Sequence, residues 1–269
     1  MSSAARKPVE RYPWEPESAT RANLAAAKLR TLLQSKTPPR DAQTLLIAAG
    51  ALAGFAGQNA ALEQGELLTS RRDLVAPESL MLKTNRQGQR FLFGRWVNAP
   101  LLLGYGHGFP LQRFVVQAAA AAGLRRDQFP DFWELERRIG KAAGKADGDF
   151  GRLEEVEGRG APARPQDLLR ALWPTARRVF MAPMPLEMAD EPAMNEAHWP
   201  ILMGLVTARA IGMTREAVDP AHAAGLVMES AIIASKLDPD LVDPGRWRLA
   251  PGARGLQIVR DDRRRHRAA

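Results

Sequence analysis

Apolar positions recur at helical spacing over most of this chain. Ala22, Ala25, Leu29, Leu32 and Leu33 share one face, and Ser18 stands where an N-cap belongs, so a helix is predicted over residues 18–34. Pro38-Pro39 closes that region. Asp41 can cap a second helix running to about Gln64, with Gly65 at the C-terminal capping position. This second helix is apolar on nearly every side, which predicts a central place in the fold. Further helices are predicted over 110–122, closed by Gly123, over 130–143, and over 167–180, interrupted or started at Trp173-Pro174. A pair of buried helices follows at 198–212 and 220–237, the latter opened by Asp219-Pro220 and stopped by Asp238-Pro239.

One stretch alternates with period two. Residues 79–84 and 89–93 flank Asn85-Arg86-Gln87-Gly88, the pattern of a β-hairpin with a glycine-containing turn. Phe91 and Phe93 fall on one face. A lone hairpin is marginal in water, so it must pack on helices or pair with another strand, a second copy of the chain among them. The expected class is therefore mainly α (α+β): an irregular helical bundle with one β-hairpin around residues 79–93. Residues 1–40 read as an extension with one helix, 41–250 as a single globular domain and 251–269 as a basic tail. The glycines and prolines of 140–165 mark a long internal loop.

Charge changes this picture. The 269 residues carry 38 Lys+Arg against 30 Asp+Glu, net +8. Residues 1–40 and 246–269 hold more than that surplus, so the body between them is slightly acidic and the basicity belongs to the two ends. Arg263, Arg264, Arg265 and Arg267 are the candidate anion or nucleic-acid contacts, through phosphate neutralisation. A solvated tail is the simpler reading, and nucleic acid is not the favoured partner. The apolar run 45–57 is too short to cross a bilayer, and no secretory signal is recognisable, which favours a cytoplasmic protein without a membrane span. Gly50 and Gly54 in that run suit close helix packing in a core.

The chain has no cysteine, and no two of its four histidines stand at i, i+4. No metal site and no cofactor are expected. Gly140-Lys141-Ala142-Ala143-Gly144-Lys145 lacks phosphate-loop spacing. The run 101–110, apolar and then His-Gly, superficially resembles the oxyanion-loop region of α/β-hydrolases, but the Gly-x-Ser-x-Gly elbow is missing. It reads instead as a glycine-rich loop leading into a helix. Its glycines allow close backbone approach to a ligand, which keeps His107 among the candidates.

The helix over 220–237 carries the sharpest pattern. His222, Glu229 and Lys236 are spaced by seven, so they fall on one narrow stripe of an otherwise apolar or small-residue helix. The stripe is either the helix's solvent edge or a polar groove inside the bundle. In a dry groove Glu229 would titrate high and could serve as a base or ligand-binding carboxylate. Gln58 and Asn59 pose the same question, and if buried they need partners such as Asn98 or Glu229. Trp133, Trp173 and Trp199 stand beside proline-marked helix starts and read as packing residues.

Three functions follow, in order of preference. The first is a non-catalytic protein acting through homo-oligomerisation or docking to a protein partner. The second is a cofactor-free enzyme or small-ligand binder with a pocket near Glu229, lined by His222, Lys236, Gln58, Asn59 and His107. The third is a nucleic-acid-associated protein using its arginine-rich ends. Whether the protein is an enzyme is left open by the sequence.

Overall fold

The structure, a computed structural model, describes residues 20–37, 41–69, 78–102, 109–143, 150–151, 153, 162–182, 196–252 and 255–260. Among them are eight α-helices and two antiparallel ribbons of two strands each, a mainly α (α+β) architecture. The helices are α1 (Thr20–Lys36), α2 (Ala42–Thr69), α3 (Arg95–Asn98), α4 (Leu111–Ala121), α5 (Phe132–Ala143), α6 (Pro165–Phe180), α7 (Trp199–Thr214) and α8 (Pro220–Lys236). The strands are β1 (Met81–Thr84), β2 (Arg90–Phe93), β3 (Trp247–Gly252) and β4 (Gly255–Arg260).

Helix α2 is the axis of the fold. Asp41 starts it: its carboxylate accepts the Thr44 amide at 2.9 Å and also the Thr44 hydroxyl. Its apolar residues point in all directions because α8, α7, α6 and β4 surround it. Leu46, Ile47, Leu52 and Phe55 are fully buried. The pair α2–α8 is the most extensive helix contact, and Gly50 and Gly54 let the two backbones meet there. The expected stop at Gly65 does not occur. Helix α2 continues to Thr69, because Leu62, Gly65 and Glu66 are buried and that packing extends the helix past the glycine. By length and composition residues 42–67 could span a membrane, which corrects the limit drawn from the run 45–57; 94% of the apolar window is buried inside this fold.

Helix α6 runs unbroken through Pro174. It carries Trp173 into an aromatic nest, edge-on to Phe55 at 4.5 Å and 6.0 Å from Trp199, which stacks on Phe180 at 4.7 Å. Trp133 does not join the interior: it is 41% exposed on α5.

The first ribbon has the expected place, with Leu82 opposite Leu92 and Lys83 opposite Phe91. Asn85 shapes its turn by accepting the amides of Gln87 and Gln89. The second ribbon corrects the expected tail: residues 251–252 belong to β3 and 255–260 to β4, not to a loose extremity. Alternation explains it, since Trp247, Leu249, Leu256 and Ile258 turn inward. With Leu62, Leu80, Leu92 and Val97 they form a second, smaller core beneath both ribbons. That shared core answers the stability problem of a solitary hairpin.

Candidate functional site: two buried polar clusters

Helix α8 is aimed by Asp219, which caps it by accepting the amides of Ala221 at 2.9 Å and His222 at 3.1 Å. The stripe predicted on it is an interior feature over its second half. Glu229 is 5% and Lys236 0% exposed, whereas His222, near the open end, is half-buried beside Gln43 with 3.5 Å between the side-chain nitrogens. Helix α5 faces the stripe and supplies its partners. Arg138 meets Glu229 at 2.7 Å, and Glu136 accepts from the Lys236 ammonium at 2.8 Å. Asn98 on α3 accepts from the same ammonium at 3.4 Å and donates to Glu136 at 3.2 Å. The Phe93 ring lies 5.0 Å from the Lys236 nitrogen, a cation–π contact. Burial pushes the Lys236 ammonium below its ordinary value, and the charge and hydrogen bond of Glu136 oppose that shift.

Gln58 and Asn59 are fully buried, but their partners are not those expected. Gln58 donates to the carbonyls of Ser235 at 2.9 Å and Leu237 at 2.6 Å, tying α2 to the end of α8. Asn59 donates to the Phe55 carbonyl at 2.9 Å and accepts from the Trp247 indole at 3.0 Å, tying α2 to β3. The carbonyl oxygen of Gln58 and the hydroxyl of Ser230 are buried with no hydrogen-bond partner among the described residues. Glu229 and Lys236 thus face α5, whereas Gln58 and Asn59 on α2 tie to the end of α8 and to β3, so the two pairs have separate partners. His107, Arg263, Arg264, Arg265 and Arg267 lie outside the described residues.

Glu136 and Arg138 went unnoticed in the sequence. A signal was present for Glu136: it follows Phe132 by four residues and precedes Ile139 by three, which places a carboxylate on the apolar stripe of α5.

A second cluster has no sequence signature, because five separate segments build it. Glu196, in the turn before α7, accepts from Arg246 at 2.5 Å and from Arg260 at 2.7 Å. Glu63 on α2 is hydrogen-bonded to Glu196 and lies 3.8 Å from Arg260. Asp243 joins the Trp173 indole at 3.0 Å, Arg177 at 3.0 Å and Arg246 at 3.6 Å. The Arg246 guanidinium lies 5.2 Å from the Trp199 ring centre and 5.7 Å from that of Trp247. Two arginines assigned to the basic end are therefore interior struts: the Arg246 side chain is 0% exposed and that of Arg260 12%. Burial, and then the neighbouring Glu196 carboxylate, push Glu63 up to about 7. Burial alone pushes His198 down.

Among the described residues no group of three or more His, Asp or Glu side chains is arranged to hold a metal ion. No protein-family model, curated protein or solved structure matches this chain.

Proposed function

We propose that this protein acts by docking rather than by catalysis, and that the docked partner is a second copy of the chain, joined through strand β4. One observation carries the reading. On β4, Leu256 and Ile258 face the core, while Val259 turns the other way and is 37% exposed on the outer face of the ribbon. From Gly255 to Val259 the strand contains neither proline nor charge. Two such faces meeting across a two-fold axis are self-complementary. The buried clusters support a structural role for the interior charges: Glu229, Lys236, Glu196 and Asp243 are each engaged with an opposite charge inside the fold.

Light scattering from micromolar to millimolar concentration tests the proposal. The wild-type protein should approach about twice the 29.5 kDa of the chain. Val259→Lys should stay at one chain mass with unchanged far-ultraviolet circular dichroism. A wild-type monomer throughout, or a dimer indifferent to the lysine, would overturn it.

A further inference from the structure

Charge is spread unevenly over the outside of this fold. Residues 20–37 hold four basic residues and no acidic one, and residues 162–182 hold Arg164, Arg170, Arg177 and Arg178 against Asp167. These segments contain α1 and α6, which pack against each other. Helix α7 also packs on α1, where the Gln34 amide donates to the Met213 sulfur at 3.9 Å. Arg209 stands one turn before Met213 and so lies on the same side of α7. Lys28, Lys36, Arg164, Arg178 and Arg209 are exposed, and Arg30 is half-buried. Among the described residues no carboxylate pairs with any of these six, and Arg178 meets the Thr175 hydroxyl at 3.4 Å. Asp167 is engaged by Arg170 at 4.0 Å. At the other end of the chain Arg246 and Arg260 turn inside, so the basicity of the N-terminal end is the part that reaches this surface.

We propose that the face built by α1, α6 and α7 binds the phosphate backbone of duplex DNA without regard to sequence. Cations gathered without counter-ions repel one another, and a polyanion relieves that repulsion while releasing its own condensed ions. Lys28 and Lys36 are eight residues, or about 12 Å, apart along α1, and Arg170 and Arg178 are equally spaced along α6. Packed helices have axes about 8–10 Å apart. Both spacings are close to the roughly 12 Å width of the B-DNA major groove, whose two rims are phosphates. Exposed Asn23 and Gln34 add neutral donors of the kind that contact phosphate.

The same face is poorly made for the other polyanionic partners. A lipid surface needs an apolar side to insert, but Leu29 and Leu33 of α1 and Leu169, Leu172 and Phe180 of α6 all point into the core. Among the described residues no exposed large apolar side chain belongs to α1 or α6, while Met213 and Met181 stand singly near helix ends. A single strand needs aromatic platforms for its bases, and α1 and α6 expose none. None of the six cations lies on β4, so this inference stands apart from the dimer.

Fluorescence anisotropy of a labelled DNA duplex of mixed sequence, titrated with the full-length protein, reads this. Six phosphate contacts predict that wild-type affinity falls about 10³-fold between about 50 and 200 mM salt. Combining Lys28→Gln, Arg178→Gln and Arg209→Gln halves the contacts, and the fall should shrink to about 40-fold. These side chains are exposed, so circular dichroism and the melting temperature should stay as in wild type. Arg86→Gln, Arg126→Gln and Lys141→Gln together remove the same charge from exposed sites elsewhere and should keep the wild-type salt dependence. No binding at low salt, an unchanged salt dependence in the face variant, or equal losses in the two triple variants would overturn the proposal. So would a single strand bound as tightly as the duplex, or tighter binding to vesicles of equal parts phosphatidylcholine and phosphatidylserine.

Discussion

Replacing Gly54 by alanine adds one methyl group where α2 and α8 touch. That carbon would stand 2.6 Å from the carbonyl carbon and 2.7 Å from the Cα of Ala231, and closer still to its oxygen. Carbon atoms rest about 3.5–4.0 Å apart, so the helices must separate by about 1 Å. The obstacle is backbone, so no rotamer change relieves it. Overpacking of this kind costs about 1–3 kcal/mol, and rigid neighbours place it at the upper end. Alanine returns about 1 kcal/mol through its better helix propensity. The net loss should be about 2 kcal/mol, a drop in Tm of roughly 4–8 °C for a chain of this size. Gly212 on α7 supplies the control, because it is exposed and an added carbon would meet nothing within 4 Å. There the propensity acts alone, and Gly212→Ala should stabilise by about 1 kcal/mol. Urea titrations followed by circular dichroism measure both. If the two variants shift stability in the same direction, the close α2–α8 approach is not what these glycines serve.

Two further substitutions probe α8. Glu136→Gln leaves the Lys236 ammonium buried with only neutral partners and should cost about 3 kcal/mol at pH 7. Since Lys236 holds its proton less tightly in the fold than in the unfolded chain, stability should rise as pH climbs toward about 10, more steeply than in wild type; urea melts at several pH values would expose a flat or falling trend. Asp219→Ala removes the acceptor for two amides at the start of α8 and should cost about 1 kcal/mol, whereas Asp219→Asn should keep most of the cap; equal losses in thermal melts would argue against capping.

The pattern of residues along the chain was enough to determine the local elements. The apolar periods place α4 to α8, Asp41 and Asp219 mark two helix starts, and the alternation around Gly88 marks the first ribbon, because these signals act over a few residues. The second ribbon has equally clear alternation at Leu256 and Ile258, but the surrounding arginines draw the eye to charge and a tail. Only the tertiary structure decided what the ionisable groups do. The seven-residue spacing put Glu229 and Lys236 on one line of α8 without saying whether that line met water or α5. Glu63, Glu196, Arg246 and Arg260 are brought within reach by the packing of the ribbon on α2, from positions nearly 200 residues apart. Periodicity is a property of neighbours in the chain, whereas burial and charge pairing belong to neighbours in space, and only folding makes those.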